Sequence, residues 1–341
     1  MAWTIDKPSD YFNTKLYTGT GSSLANTGVG FQPDLTWIKG RSGATEHVLT
    51  DSVRGVTKEL SSNDAGVEET VAQGLTAFGS DGFTVGTDGS YNTSSATYAA
   101  WNFKANGAGS ANTDGSQSAT VSVNTTAGFS IVKFVNVTTA TTNTFGHGLS
   151  VAPKVIIMRS LDSAYNWDVY HHKIAISKRL ILNSTSAESS STYMNSTSPT
   201  NQVFTVKSDE FANNDDCIAY CFADVQGYSK VGGSYTGNGN ADGTFVYTGQ
   251  KSAFIMLKNT TRAASWLMFD NKRLGYNVDN NEVVANTSAA EETYDQLDFL
   301  SNGFKMRTNG TSINLNGDTY IYMCFASNPF TTSTGVPATA R

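Results

Sequence analysis

Apolar and polar residues alternate over short stretches along the whole chain, which is the pattern of β-strands with one buried face. The segment 30–42, GFQPDLTWIKGRS, runs through a Pro-Asp pair into such a stretch, and many similar stretches follow it. At Asp81-Gly82 a turn signal stands between two apolar runs, which predicts a β-hairpin because glycine tolerates positive φ. No segment of ten or more residues shows a clear 3.6-residue period. We therefore expect little helix.

The pattern is repeated along the chain. The stretch KRLILNSTSAE (178–188) has counterparts in KELSSNDAGVE (58–68) and NEVVANTSAAE (281–291), and in each an Asn is followed by a Glu at the same spacing. Each copy is followed by a matched segment: YAAWNFKA (98–105), CIAYCFAD (217–224) and YIYMCFAS (320–327). Landmarks recur every ~100 to 120 residues, which is an ordinary domain size. The chain is therefore predicted to be a triplication.

Each copy supplies about six or seven short strands separated by Gly, Asn, Asp and Ser turns, the pattern of an antiparallel sandwich or jelly roll. In a unit of this size a sheet buries both faces only against another sheet. We predict an all-β fold of three tandem antiparallel β-sandwich repeats with little helix. The alternative is one pseudo-threefold body in which the copies exchange strands.

The composition shift at 106–127 suggests where the units divide. This segment lacks large side chains apart from Val121 and Val123, so it is predicted to be a linker, with an edge strand at the two valines as the alternative. The predicted units are an N-terminal arm (1–10), repeat 1 (11–105), the linker (106–127), repeat 2 (128–227), repeat 3 (228–330) and a C-terminal tail (331–341).

Charge and hydropathy exclude several classes of protein. The formal net charge of −6 argues against a nucleic-acid partner, which would require a basic face. No run approaches the ~18 apolar residues of a membrane span, and the N-terminus lacks the pattern of a signal peptide. We therefore expect the protein to be made in a cytoplasm and not to insert into a membrane. The three cysteines lie in apolar segments and are expected to be buried and reduced.

Motifs for catalysis or metal binding are missing from the sequence. It contains no nucleophile elbow, P-loop or zinc-ligand spacing, so we expect no enzyme activity, no cofactor and no metal site. His171 and His172 are adjacent on an alternating stretch and should point to opposite faces, which disfavours a shared metal ion. A surface Ca²⁺ near Asp215 and Asp216 is a remaining alternative to turn capping.

Two groups of residues are candidates for binding. The repeated Asn and Glu are interpreted as a strand-end turn, with a sugar or cation site at each repeat as the alternative. Exposed aromatic rings on a polar β scaffold can stack on sugars, and the candidate glycan contacts are Tyr165, Trp167, Trp266 and Trp37. The alternative is that these rings fill the cores. Specificity is better sought in the loops that differ between copies, at 160–166, 185–200 and 260–265.

Five of these stretches also carry a family resemblance. They are YFNTKLYTGTGS (11–22), LTDSVRGVTKELSSNDAG (49–66), TYAAWNFKANG (97–107), VANTSAAEETYDQLDFLSNGFK (284–305) and GDTYIYMCFASNPF (317–330). They resemble a repeated domain of uncharacterised function found in structural proteins of marine tailed bacteriophages. The resemblance covers nearly the whole chain and implies a virion component whose sandwiches are lectin-like. It supplies no catalytic motif.

From this resemblance we expect a non-enzymatic virion structural protein, assembled in the host bacterial cytoplasm. The leading hypothesis is a tail fibre or appendage that attaches to the host surface by binding glycan. Its expected partners are other virion proteins, a host surface glycan and further copies of itself, a trimer being common among phage appendages. The alternative is a capsid decoration or tail protein that binds only other virion proteins. A polysaccharide-degrading enzyme is a third hypothesis.

Overall fold

The computed structural model describes residues 5–139, 141–274, 277, 280–332 and 337. The regular structure in these residues is almost entirely antiparallel β-sheet. The helical elements there are a single 3₁₀ turn, Pro8–Asp10, and the four-residue helix α1, Gly89–Asn92. The predicted all-β fold with little helix is confirmed.

Lobe 1 is formed by residues 5–105. Its strands are β1 (Phe12–Thr18), β2 (Leu24–Thr27), β3 (Leu35–Gly40), β4 (His47–Asp51), β5 (Lys58–Ser61), β6 (Glu69–Thr70), β7 (Leu75–Gly79), β8 (Gly82–Val85) and β9 (Thr97–Phe103). A six-stranded main sheet has the order β1-β9-β3-β4-β5-β6, and a smaller sheet has the order β2-β8-β7. β7 and β8 pair as the hairpin that Asp81-Gly82 predicts.

Lobe 2 is formed by the described residues of 106–227. Its strands are β10 (Ser110–Asn112), β11 (Ala119–Asn124), β12 (Phe129–Val135), β13 (Thr142–Gly146), β14 (Val155–Ser160), β15 (Asp168–His171), β16 (Lys178–Ile181), β17 (Ser189–Ser190), β18 (Val203–Lys207) and β19 (Asp216–Phe222). The main sheet has the order β10-β11-β12-β19-β14-β15-β16-β17, and β13 pairs with β18 in a second sheet.

The segment 106–127, predicted to be a linker, carries β10 and β11. β11 pairs with β12 from Ala119 opposite Phe134 to Asn124 opposite Phe129. The two valines thus lie in a strand, as the alternative predicts, but β11 has neighbours on both sides, and the edge strand is β10. Val121 is buried, which explains why this otherwise small-residue segment adheres to the sheet.

Lobe 3 is formed by the described residues of 228–330. Its strands are β20 (Ser229–Thr236), β21 (Phe245–Tyr247), β22 (Gln250–Asn259), β23 (Leu267–Asp270), β24 (Asn280–Val284), β25 (Glu292–Tyr294), β26 (Leu297–Leu300), β27 (Gly303–Met306) and β28 (Thr319–Pro329). The main sheet has the order β20-β28-β22-β23-β24-β25, and the smaller one β21-β27-β26.

The main sheets of the three lobes share the order of six strands, to which lobe 2 adds β10 and β11 at one edge. The two central strands of each sheet pair at equivalent residues: Leu35 with Phe103, Val155 with Phe222, and Phe254 with Phe325. Within the described residues each sheet is built from strands of a single lobe, so the lobes exchange no strand. This arrangement is the one expected of a triplicated chain. The number of repeats and their jelly-roll or lectin-like type stay predictions from the sequence.

The central strands of the main sheets are buried on both faces. Along β14, Val155 and Ile157 face a central core that all three lobes share, whereas Ile156 and Met158 face an outer core that belongs to lobe 2 alone. The same alternation holds in lobes 1 and 3, each of which has its own outer core. Because side chains alternate across a strand, each main sheet separates one private core from the shared one.

Three phenylalanines meet in the central core, one from each lobe. The ring centroids of Phe103 and Phe222 lie 5.9 Å apart, those of Phe103 and Phe325 5.2 Å, and those of Phe222 and Phe325 6.0 Å. All three pairs meet edge to face, which suits the aromatic quadrupole. An apolar void of about 20 Å³ lies beside them. The lobes are thus parts of one body.

The chain ends are described only in part. Residues 1–4 of the predicted N-terminal arm lie outside the described residues, and Ile5 packs in the central core. Of the predicted C-terminal tail, only 331, 332 and 337 are described.

The cysteines are buried and free, as the sequence predicts. Burial raises the pKa of the Cys324 thiol to about 11, so this thiol stays protonated at neutral pH.

Candidate functional site

Three of the four predicted glycan contacts are buried. Trp37, Trp167 and Trp266 all pack in the central core, and none is more than 6% exposed. A ring without an exposed face cannot stack on a sugar, so these residues are corrected to core positions. Tyr165 is partly buried and meets the ring of Phe211 edge to face at 5.5 Å.

The indole groups of two tryptophans also connect neighbouring lobes. Trp167 Nε1 donates a hydrogen bond to the Ser61 carbonyl at 2.7 Å, and Trp266 Nε1 donates to the Ile181 carbonyl at 2.9 Å. His47 takes the equivalent position in lobe 1, where its Nδ1 accepts a bond from Trp37 Nε1 at 3.0 Å. These side chains are therefore structural.

The repeated Asn fastens two strands of its own lobe. Each Asn Oδ1 accepts a hydrogen bond from the backbone N–H at the start of the neighbouring strand. The three pairs are Asn63 with His47 at 2.8 Å, Asn183 with Trp167 at 2.9 Å, and Asn286 with Trp266 at 2.8 Å. The structural interpretation of this residue holds, although the bond crosses to another strand and does not close a local turn.

The repeated Glu marks a contact between lobes. In each copy the backbone N–H of the Glu donates to a carbonyl at the end of a central strand in the next lobe. These contacts are Glu68 to Leu161 at 2.8 Å, Glu188 to Thr260 at 3.1 Å, and Glu291 to Arg41 at 3.0 Å. Parts of the loops predicted to give specificity, at 161, 185 and 260, are thus engaged in contacts between lobes.

A buried cation from the adjacent lobe completes each contact. It lies on the central strand and donates to a backbone carbonyl between the repeated Asn and Glu. Lys39 donates to the Ser288 carbonyl at 3.2 Å, and Lys258 donates to the Thr185 carbonyl at 2.8 Å. Arg159 donates to the Gly66 carbonyl. Burial lowers the pKa of Lys39 and of Lys258 to about 8. We call each set of Asn, Glu and cation contacts a clasp.

The clasps run in one direction around the body. Lobe 1 reaches into lobe 3 through Lys39, lobe 3 into lobe 2 through Lys258, and lobe 2 into lobe 1 through Arg159. A head-to-tail contact that closes on itself forms a ring, here within a single chain.

Two of the interfaces also contain a buried ion-pair network. In lobe 1, Arg54 contacts Asp51 at 2.5 Å and Glu68 at 3.2 Å, and Tyr220 of lobe 2 donates to Asp51 at 2.8 Å. Breaking such a buried pair is costly because it leaves a charge without a partner.

The equivalent network in lobe 3 has the same form. Arg273 contacts Asp270 at 2.6 Å and Glu291 at 3.1 Å, and Trp101 of lobe 1 donates to Asp270 at 3.0 Å. In both networks the aspartate accepts a hydrogen bond from an aromatic donor of the next lobe, the same lobe that the repeated Glu contacts.

Lobe 2 departs from this pattern at three positions together. His171 takes the place of the aspartate and Ile174 that of the arginine, and the residue of lobe 3 equivalent to the aromatic donor is Met323. A methionine cannot donate a hydrogen bond, so an aspartate here would be buried without that partner. A neutral histidine avoids this cost, and its Nε2 donates to the Val231 carbonyl at 3.1 Å.

His171 and His172 do not point to opposite faces, which corrects the prediction. β15 ends at His171, so the alternation does not extend to His172. The two ring centroids are 5.6 Å apart, and His172 Nε2 donates to the Gly232 carbonyl at 2.7 Å. The described residues contain no group of three or more His, Cys, Asp or Glu placed to hold a metal ion.

The two histidines hold a β-bulge at the boundary of lobes 2 and 3. The register of β20 against β28 shifts between Lys230 and Gly233. Asp224 accepts the N–H groups of Val231 at 2.8 Å and of Gly232 at 3.0 Å, and so satisfies the donors that the bulge frees. A Cβ at Gly232 would lie 2.5 Å from His172 Nε2, so a larger residue there would require the imidazole to move.

A groove opens to solvent beside this bulge, and we call it the 2/3 groove. One part, of about 500 Å³, is lined by Asp224, Val225, Gln226, Gly227, Ser229, Lys230 and the segment 247–250. A second part, of about 380 Å³, shares Asp224 and Lys230 with the first. Lys230 pairs with Asp224 at 3.0 Å.

Tyr247 is the aromatic residue of the 2/3 groove. It is 61% exposed, the highest value among the large apolar side chains exposed in the described residues. A Cβ at Gly249 would lie 3.5 Å from the Tyr247 hydroxyl, so the ring lies over this glycine, whose φ is +74°. The ring thus packs against the backbone at Gly249, and most of the side chain is exposed to solvent. Sequence reasoning missed Tyr247. The bulge beside it could have been found from the Gly-Gly pair at 232–233.

The fold and the clasps define a class: an all-β protein in which three lobes of common topology form one closed body. The chain belongs to the family described as a domain of unknown function, DUF7483, whose model matches residues 7–329. No curated protein and no solved structure matches the chain. No helix in the described residues is long and apolar enough to cross a membrane.

The clasp can be tested through its asparagine. Asn183→Ala leaves the buried N–H of Trp167 without its acceptor, which should lower the free energy of unfolding by about 1–2 kcal/mol. Denaturant unfolding measures this change. Asn201→Ala, at an exposed position, is the control and should change stability by less than about 0.5 kcal/mol. Equal effects of the two substitutions would contradict the role given to the clasp.

The histidine of lobe 2 predicts a dependence on pH. Burial lowers the pKa of His171 to about 3, whereas in the unfolded chain it is about 6.5. Between these values only the unfolded chain binds the proton, so stability falls as the pH falls, by up to about 1.4 kcal/mol per pH unit.

His171→Gln retains a donor for Val231 but does not titrate. Its melting temperature should therefore fall less than that of the wild type between pH 7 and pH 4.5. His172→Gln, at a less buried position, should reduce the fall in melting temperature less than His171→Gln does. Parallel pH profiles for wild type and His171→Gln would show that His171 does not carry this dependence.

Proposed function

We propose that the chain is a non-enzymatic structural protein of a tailed-phage virion and that it attaches to the host surface by binding glycan in the 2/3 groove. The resemblance of its repeated stretches to phage structural proteins supports the virion assignment. The observation that carries the binding role is the exposed, supported ring of Tyr247 beside polar groove residues.

The groove has the chemistry that saccharide recognition requires. A sugar ring presents C–H groups on its faces and hydroxyls at its edge, so it binds to an aromatic face flanked by hydrogen-bonding groups. Tyr247 offers the face, while Gln226, Asp224 and Thr248 line the same cavity. Gln226 is exposed, so its amide can bind hydroxyl groups without first losing a buried partner.

The closed body suits a component that presents a surface from a particle. Three clasps and a shared core fix the lobes relative to one another, so the two walls of the groove are held in place before a ligand arrives. The partners in this proposal are other virion proteins, further copies of the chain as a trimer, and the host glycan. The buried, free cysteines support assembly in the reducing host bacterial cytoplasm.

Substitution of the groove aromatic tests the proposal. Tyr247→Ala should weaken glycan binding by about tenfold, because stacking of this kind contributes about 1 kcal/mol or more. The measurement is binding of the purified chain to a glycan array, with competition against adsorption of the phage that carries it. Tyr294→Ala removes another exposed tyrosine of lobe 3 that lies outside the groove. It should leave glycan binding and the competition with phage adsorption unchanged.

The result also separates the two virion hypotheses. If the wild-type chain binds no glycan and does not compete with adsorption, host attachment is refuted. The chain is then a decoration or tail protein that binds only other virion proteins, and cryo-electron microscopy of the particle would locate it.

A further inference from the structure

The second part of the 2/3 groove differs in charge from the first. Its lining includes Lys154, His172, Lys173 and Lys230 from both lobes, with Asp224 as its carboxylate. Three lysines against one aspartate give a local excess of positive charge in a chain whose formal net charge is −6. The excess is therefore a feature of this surface and does not reflect the average composition.

Two of these lysines are free to meet a ligand. Lys230 is neutralised by Asp224, but within the described residues Lys154 and Lys173 form no salt bridge with a carboxylate. Lys173 is exposed and Lys154 is half-buried. Both residues line the second part of the groove, and neither has a carboxylate counterion among the described residues.

His172 lies close enough to Lys154 and Lys173 for their charges to affect its protonation. Burial lowers the pKa of His172, and the charges of Lys154 and Lys173 lower it further, against the opposing effects of the Gly232 carbonyl and Asp224. The imidazole is fixed by its bond to Gly232. A neutral ring held beside two cations is the arrangement that favours an added anion.

The backbone fixes the width of this part of the groove. Gly232 approaches His172 and Lys154 so closely that a Cβ there would lie 3.0 Å from the Lys154 Cβ. The bulge of lobe 3 therefore presses directly on the end of lobe 2. Because the clasps prevent the lobes from separating, the cationic part and the Tyr247 part keep a fixed spacing.

We propose that the cationic part of the 2/3 groove binds the carboxylate or sulfate of an acidic saccharide, whose neighbouring sugar ring stacks on Tyr247. This inference rests on the proposed function and adds the class of glycan to it. The two parts adjoin, because Asp224 and Lys230 line both of them, and we expect one oligosaccharide to reach from one part to the other. Lys154 and Lys173 supply the charge, and Tyr247 supplies the apolar face.

The test compares matched saccharides on the full chain. Calorimetry would measure the affinities of a galacturonic acid trisaccharide, a singly sulfated galactose trisaccharide and neutral galactotriose at low salt. We expect an acidic trisaccharide to bind about tenfold tighter than the neutral one, with the difference reduced at about 0.5 M NaCl because of screening. Binding should also raise the pKa of His172, followed by NMR.

Variants assign the effect to the two free lysines. Lys154→Gln combined with Lys173→Gln should abolish the preference for the acidic trisaccharides and leave galactotriose binding unchanged. Lys173→Gln alone, at an exposed position that cannot disturb folding, should remove part of the preference. Lys272→Gln, which changes an exposed lysine outside the groove, is the matched control. Tyr247→Ala should weaken the binding of all three saccharides.

Three outcomes overturn the inference. Equal affinities for the acidic and neutral saccharides would overturn the inference but would not contradict the proposed glycan function. Displacement of the acidic saccharides by sodium sulfate at equal concentration would show a site for free anions only. Binding of none of the three saccharides would also overturn it, and the glycan array and the adsorption assay would then decide separately whether the proposed function fails.

Discussion

The meeting of Phe103, Phe222 and Phe325 is the contact on which the rest of the structure depends. Each main sheet has two apolar faces, and a lobe can cover only one of them with its own smaller sheet. The other face stays buried only while the remaining two lobes are in place. The clasps secure this arrangement by satisfying the backbone at the lobe boundaries, where unpaired polar groups would otherwise be buried.

The groove follows from a departure from symmetry. At two boundaries an Asp–Arg–Glu network and an aromatic donor join the lobes, whereas at the third His171 and Met323 replace them. There the backbone of lobe 3 bulges to meet two histidines, and the freed donors bind Asp224. The 2/3 groove thus lies at the boundary that, among the described residues, lacks the charged network.

Much of the fold could be predicted from local patterns, because alternation and turn residues specify strands without knowledge of their neighbours. The hairpin at Asp81-Gly82, the buried cysteines and the matched stretches are examples. Contacts between lobes could not be predicted, since they depend on packing between segments ~100 residues apart. Trp167 and Trp266 were therefore candidates for a surface they do not reach, and Tyr247 was overlooked. A lysine or arginine at the same place in three apolar strands, at Lys39, Arg159 and Lys258, was the sequence signal for the clasps.

The three lobes share one core, so they should not fold separately. Differential scanning calorimetry of the full chain tests this expectation most directly, by comparing the calorimetric enthalpy of unfolding with the van't Hoff enthalpy. The shared core predicts one transition in which the two enthalpies agree. Two or three resolved transitions, or a calorimetric enthalpy two to three times the van't Hoff value, would show that the lobes unfold independently and would contradict the account.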